Sequence, residues 1–242
     1  MTEKYFRHYP NLDFDVKNDG NLIQAKDIFR NIRISSQSLD SIVGYEYYYV
    51  GDQDRPDVLA SKLYRDSTLY WLFWMVNDHF ATYEDWPKSQ RVLERFIKRK
   101  YSGKGLVSSV STDIVSSSES KFLQGEKVVG STSSAFGYVT KIDPTNNQVV
   151  LNDIQGTFQV NETVTGSKSE KSFTLSSVRN FEDSPHHYET SEGLKTSIST
   201  GNTPVSNKDY EQKFNDDKRS IKYIRIEYLP ALLREFKSMI RE

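Results

Sequence analysis

The sequence contains no cysteine, which excludes disulfides, thiolate metal sites and cysteine nucleophiles. It has no long apolar run. The longest, Leu69 to Val76, makes about two helical turns, far short of the roughly 20 residues a membrane helix needs. Met1-Thr2-Glu3-Lys4-Tyr5 lacks the apolar stretch of a signal peptide. A soluble protein, made and assembled in a cytoplasm, is the expectation. No sign of charge dominates: 32 Lys+Arg face 33 Asp+Glu, a net charge of −1 over 242 residues. Nothing in bulk therefore drives binding to a phosphate backbone or an anionic membrane.

Catalytic signatures are missing too. The four histidines are His8, His79, His186 and His187. The adjacent pair cannot share a helix face at i, i+4, and no zinc-type spacing surrounds it. It reads as a packing motif in a loop, Ser184-Pro185-His186-His187-Tyr188. There is no G-x-S-x-G, no suggestive placement of Ser, His and Asp, and no argued pair of acid and base. No cofactor or metal is expected, and no enzymatic activity.

Aromatic rings are abundant. Hydrophobic residues make up only 36% of the chain, yet Tyr, Phe and Trp supply 13%. Large flat side chains with little aliphatic filler suit a chain that buries surface against partners. Composition separates six stretches: an N-terminal arm (1–44), a compact unit with all three Trp (45–101), a Ser-rich linker (102–120), a small β module (121–179), a second polar linker (180–207) and a C-terminal strand and helix (208–242). The fold class is α+β.

In the arm, Leu22, Ile23, Ile28, Phe29 and Ile32 are the clustered apolar residues. Asp27 to Ile32 is either one short helical turn or an extended anchor. It packs on the next domain or reaches another subunit. In the compact unit, Tyr45 to Val50 is aromatic and β-branched, a strand signal. Gly51 to Asp54 is turn chemistry, and Arg55-Pro56-Asp57 opens a helix with Pro in its first turn. Asp66-Ser67 caps a second helix over Thr68 to Asn77.

On that second helix, at about 100° per residue, Leu69, Leu72, Phe73 and Val76 form one stripe. Tyr70 and Trp74 fall on a second face, Trp71 and Met75 on a third. A helix apolar all round is normally buried all round. Each ring hides about 150–250 Å² when covered, and a bare face of this kind exceeds what a monomer tolerates. Either residues 78–101, with Tyr83, Trp86 and Phe96, fold back over it, or a partner covers it; partner contact is the expectation. Arg91 to Lys100 reads as a third helix. Its basic residues are a solvated face at a helix C-terminus, in keeping with the macrodipole, rather than a nucleic-acid site.

The β module contains a repeat. Residues 122–133, FLQGEKVVGSTS, align without a gap to residues 158–169, FQVNETVTGSKS. Phe122, Glu126, Val128, Gly130, Ser131 and Ser133 match Phe158, Glu162, Val164, Gly166, Ser167 and Ser169. Gly125 matches Asn161, as expected at a turn that needs positive φ. Five to six short antiparallel strands closing into a small barrel or sandwich are predicted, with Phe122, Val128, Val139, Val149, Leu151, Phe158, Val164 and Leu175 inside. Ile221 to Ile226 interleaves apolar with basic residues and reads as a strand. Pro230 starts a final helix whose Leu229, Leu232, Leu233, Phe236, Met239 and Ile240 form one stripe. That helix docks on residues 45–101 or on a neighbouring subunit.

The strand ending Tyr49-Val50, the Gly51-Asp52 turn, Leu59-Ala60, Tyr64 and Asn77 resemble a LysM-type module. With Leu69-Tyr70-Trp71, Asn77-Asp78, Asp27-Ile28-Phe29-Arg30 upstream and Asn215 to Met239 downstream, the chain is similar to the LysM-like baseplate wedge proteins of contractile-tailed, T-even-like phages. The likeness covers about 20–101 and 208–242; the β module resembles small domains common in phage structural proteins. The resemblance implies a virion subunit of the tail baseplate, assembled in the host cytoplasm. It implies binding to other wedge subunits and to neighbouring wedges around the central hub, without nucleic acid or membrane. The expected contacts are Ile28, Phe29, Tyr70, Trp71, Trp74, Met75, Leu232, Leu233, Phe236 and Met239. Ordinary LysM modules bind N-acetylglucosamine polymers, so a peptidoglycan-binding module of a cell-wall lytic protein is the alternative.

Overall fold

A computed structural model describes residues 9–27, 44–108, 110, 114–116, 119–120, 122–196 and 202–241. Ile28 and Phe29 of the arm lie outside the described residues. Along the chain the elements run β1 (Asn11–Phe14), β2 (Ile23–Lys26), β3 (Tyr45–Tyr49), α1 (Pro56–Tyr64), a 3₁₀ turn (Ser67–Trp71), α2 (Leu72–Val76) and a second 3₁₀ turn (Tyr83–Asp85). Then follow α3 (Gln90–Lys100), β4 (Lys104–Ser108), β5 (Val115–Ser116), β6 (Glu119–Ser120), β7 (Lys127–Gly130), β8 (Phe136–Asp143), β9 (Gln148–Gln155), β10 (Thr163–Gly166) and β11 (Ser172–Asn180). The chain continues through β12 (Pro185–Glu189), β13 (Lys195–Thr196), β14 (Thr203–Ser206), α4 (Asn207–Asp217), β15 (Ser220–Ile224) and α5 (Leu229–Arg241). Mixed helix and strand make this an α+β protein. It divides into unit 1, residues 1–90 and 215–242, and unit 2, residues 91–214.

In unit 1, β3 pairs antiparallel with β15, Tyr49 opposite Ser220 and Tyr45 opposite Ile224. α1 begins at Pro56 in its first turn, where the missing N–H costs nothing. It stops at Arg65, which takes a left-handed φ of 60°. Asp66 then caps the next turn by accepting from the Thr68 N–H at 2.9 Å. The helix expected over 68–77 forms as a 3₁₀ turn that passes into α2. The core holds Leu59, Leu72, Phe73, Phe80, Ile221 and Phe236, all fully buried. Asn77 ties helix to sheet. Its side-chain amide donates to the Phe73 and Lys222 carbonyls, at 2.8 and 2.9 Å, and its Oδ1 accepts from the Lys222 N–H at 2.8 Å. Asn77→Ala strands two backbone groups of β15 and should cost about 1–3 kcal/mol, read as a lower urea midpoint at unchanged slope.

Arg219 makes a second tie. Its guanidinium donates to the Val50 carbonyl at 2.9 Å, the Lys88 carbonyl at 3.1 Å and Asp52 Oδ1 at 2.7 Å. The strand at 45–49 and the strand at 220–224 are thus fixed as neighbours by side chains as well as by the ladder. Sequence reading treats both as strands but does not pair them.

Unit 2 contains a closed six-stranded barrel, in the order β10-β11-β4-β9-β8-β7. Every residue expected inside it, from Phe122 to Leu175, is buried. Gly125 and Asn161 take φ of 80° and 69° at the matching turns. One barrel strand, Lys104–Ser108, comes from the stretch read as a Ser-rich linker. Its Leu106 and Val107 are buried, and a run of serines in the same stretch conceals them. The polar stretch 180–207 likewise carries a three-stranded sheet, β13-β12-β14, and α4 begins at Asn207. His186 and His187 therefore lie on a strand rather than in a loop, with His186 stacked on Tyr210 at 3.8 Å between ring centres. A second apolar cluster joins Leu93, Ile97 and Tyr101 of the α3 region to Val150 and Phe181. Arg91, Arg95, Lys98 and Arg99 remain exposed, and Lys100 pairs with Glu211 at 2.6 Å.

The repeat interlocks. The Glu126 carboxylate accepts from the Leu123 N–H of its own copy and from the Lys168 N–H, Ser169 N–H and Ser169 hydroxyl of the other. Glu162 does the converse, accepting from Gln159 N–H and from Thr132 N–H, Ser133 N–H and Ser133 hydroxyl. Each buried carboxylate thus caps the turn of the opposite repeat.

Candidate interaction surfaces

The aromatic residues expected at a partner face are distributed between interior and surface of unit 1. Trp71, Met75, Leu232 and Phe236 are interior, and the Trp71 and Phe236 rings sit 4.7 Å apart. The final helix docks back on the 45–101 region, one of the two arrangements open from the sequence. Trp74, Leu233 and Met239 are half-buried, and Tyr70 is 41% exposed.

Trp74 is covered by the segment that follows it. It stacks on Tyr83 at 5.8 Å and Trp86 at 5.6 Å, with Tyr70 edge-on at 6.1 Å. Its indole N–H donates to the Thr82 carbonyl at 2.9 Å. The fold-back is held by Thr82 and Asp85, which form a capping box. Hydrogen bonds from the Thr82 N–H first and then the Ala81 N–H outweigh burial, which acts to raise it, and hold the Asp85 carboxyl down to about 2. Residues 78–86 hence supply from within the chain the cover that the bare aromatic face demanded.

The apolar surface that does remain bare lies elsewhere. β1 and β2 form a two-stranded hairpin with Asn11 opposite Lys26, Leu12 opposite Ala25, Asp13 opposite Gln24 and Phe14 opposite Ile23. Side chains alternate across a strand. One face therefore carries only Leu12, Phe14, Ile23 and Ala25, the other only Asn11, Asp13, Gln24 and Lys26. Every residue of both strands is exposed, Phe14 at 54%. The turn is firmly built. Asp15 accepts from the N–H groups of Lys17, Asp19 and Gly20, and the Gly20 bond foremost lowers its pKa. Asn18 and Gly20 take the positive φ the turn requires. A two-stranded hairpin is marginal alone in water, and an entirely apolar face left open marks a contact site.

A second bare patch lies on β3, where Tyr47 and Tyr49 are 64% and 66% exposed. Lys222 stands opposite Tyr47. Exposed tyrosines combine a large apolar ring with a polar tip, the usual make-up of an interface anchor. The signal for both patches was in the sequence: the tyrosine-rich strand Tyr45-Glu46-Tyr47-Tyr48-Tyr49, and the alternating Leu12-Asp13-Phe14 ahead of an Asp-Gly turn.

The loop after β3 offers less. Asp52 accepts from the Gln90 N–H and from Arg219, and these two contacts lower its pKa in that order. Asp54 accepts from the Gly51 N–H and the Tyr48 hydroxyl, both at 2.9 Å. Its carbonyl takes the Trp86 indole N–H at 2.9 Å. These groups are engaged within unit 1. Among the described residues no group of three or more His, Asp or Glu side chains could hold a metal, and no helix is long and apolar enough to cross a membrane.

A family model described as Base plate wedge protein 53 matches residues 4–150. The baseplate wedge protein gp53 of Enterobacteria phage T4 is 32% identical over 92 residues, which cover 37% of this chain and 46% of that protein. The matched region spans about half the length of that relative.

Proposed function

The chain belongs to the base plate wedge protein 53 family, and from that premise we propose that it is a structural subunit of a phage tail baseplate wedge. It binds neighbouring wedge proteins and helps join wedges around the central hub, as part of the virion and after assembly in the host cytoplasm. The observation that carries the reading is the hairpin at 11–26. Its bare apolar face lies within the family-matched segment and has no use in an isolated protein. Tyr47, Tyr49 and Tyr70 extend the contact surface, with Ile28 and Phe29 of the arm and the bare parts of Trp74, Leu233 and Met239. Trp71, Met75, Leu232 and Phe236 support this surface from behind.

The order strand, helix, helix, strand in unit 1, with β3 beside β15, supports a LysM-like unit into which the barrel is inserted. Asp52 and Asp54, in the loop that carries glycan contacts in ordinary LysM modules, are engaged by Gln90, Tyr48 and Trp86 of the same unit, which favours protein over carbohydrate as the ligand. The role calls for no catalytic group.

The test replaces both large residues of β1 by strand-forming polar ones. Leu12→Thr with Phe14→Thr, in the full chain supplied in trans to phage lacking its own copy, should cut incorporation into baseplates at least tenfold. The melting temperature should move little, since the sites are exposed. Incorporation at the wild-type level would overturn the hairpin as the contact element.

A further inference from the structure

The two copies of the repeat provide an internal control. The pairs Lys127–Tyr138 and Val129–Phe136 on β7–β8 occupy the places of Thr163–Thr174 and Thr165–Ser172 on β10–β11. Between them, the inward residues Val128 and Val164 are buried alike. The outward residues differ in kind. In the second copy all four carry hydroxyls and all are exposed. In the first they are a cation, a valine and two aromatic rings. The second copy holds the same strand pairing with Thr and Ser, so closure of the barrel does not require the aromatic set.

We propose that the outward face of β7–β8 docks a segment of another baseplate protein, one that presents a carboxylate among apolar side chains. This rests on the wedge reading above. Phe136 and Tyr138 stand edge-to-face with centres 6.4 Å apart, and Tyr138 is 42% exposed. Lys127 Nζ lies 3.8 Å from the Phe136 ring centre. Among the described residues no carboxylate pairs with that half-buried ammonium. A cation seated on an aromatic ring, fringed by Val129 and Tyr138, is complementary to an anion carried on an apolar surface. A second copy of this chain fits poorly, because a two-fold contact through this face sets Lys127 against its own mate. A phosphate polymer needs a row of cations, and the face has one. The first copy lies inside the family-matched residues, whereas the second, 158–169, lies beyond them.

The second copy also supplies the test. Lys127→Thr, Val129→Thr, Phe136→Ser and Tyr138→Thr together convert the face to its counterpart, since the equivalent pair β10–β11 holds the same register with those residues. Full-length chain carrying these changes, supplied in trans to phage lacking its own copy, should enter baseplates at least tenfold less than wild type, with circular dichroism unchanged. Lys127→Glu alone should lose most incorporation and Lys127→Arg should retain it. If wild type enters baseplates and the fourfold variant does so equally, the proposal fails; if wild type does not enter, the wedge reading itself fails. Should the fourfold variant misfold, Lys127→Glu decides, and normal incorporation overturns the proposal. Concentration-dependent dimerisation of wild type that the Lys127→Glu variant lacks would overturn it in favour of self-association.

Discussion

Trp71→Ala is expected to lower the stability of unit 1 by about 3–5 kcal/mol, the range for deleting a buried aromatic ring. Trp71 is 7% exposed, and its ring meets that of Phe236 at 4.7 Å, so truncation opens a void where α5 docks. The measurement has a convenient probe. The three Trp lie at 71, 74 and 86, all in unit 1, so indole fluorescence follows that unit alone, while far-ultraviolet circular dichroism follows both. Urea titration by fluorescence should show the early transition, carried by Trp74 and Trp86. A loss below about 1 kcal/mol would mean that the ring is not part of the core, since exposed substitutions stay within about 0.5 kcal/mol.

The second large effect belongs to the paired carboxylates of the barrel. Glu126→Gln or Glu162→Gln keeps the shape but turns one acceptor into a donor facing N–H groups. Each should cost about 1–3 kcal/mol, and the double variant close to the sum or more, because the two caps brace one barrel. Burial raises the pKa of both carboxyls, and the backbone N–H groups, Leu123 first for Glu126 and Ser133 first for Glu162, more than reverse this. Both end below the ordinary value of 4.5. The sign follows. A carboxyl with a depressed folded pKa stabilises the fold fully above its unfolded pKa and loses that contribution as pH falls through the folded one. Wild-type barrel stability should hold from neutrality to about pH 5 and decline below it. In the double variant this part of the acid sensitivity should vanish, leaving a lower and flatter melting curve. Equal melting of wild type and double variant at pH 7 would refute the capping role.

The two predictions mark where sequence reading succeeds and where it stops. Helices α1, α3 and α5 and strand β3 announce themselves through local signals: Pro56 in a first turn, the Leu229 to Ile240 stripe, the aromatic and β-branched run from Tyr45 to Val50. The barrel core is equally visible, because a repeat shows which positions face inward. Side-chain inventory also suggests that Trp71, Trp74 and their neighbours need cover. What it leaves open is whose atoms provide it, since a ring is equally greasy against Phe236 of the same chain or against another protein. The cover comes from Trp86 and Tyr83, whose approach depends on a Thr82–Asp85 capping box. Long-range pairing is likewise silent: nothing local in Ser220 to Ile224 names Tyr45 to Tyr49 as its neighbour. The strand at 104–108 is hidden for a different reason, because five residues among serines carry too little periodicity. The hairpin's alternation and the tyrosines of β3 were readable in the sequence, but exposure is a property of the packed molecule.

The tie between Arg219 and Val50 spans 169 positions of sequence. During translation at roughly 5–20 residues per second, β3 therefore waits on the order of ten to thirty seconds before its sheet partner leaves the ribosome. For that interval the tyrosine-rich strand and the aromatic helix beside it trail from the exit tunnel half-clothed, while the barrel, whose strands are all made in between, is free to close first. The nascent chain is thus most vulnerable to proteases and to chance pairing at its earliest-made segment, and holding chaperones should engage it there.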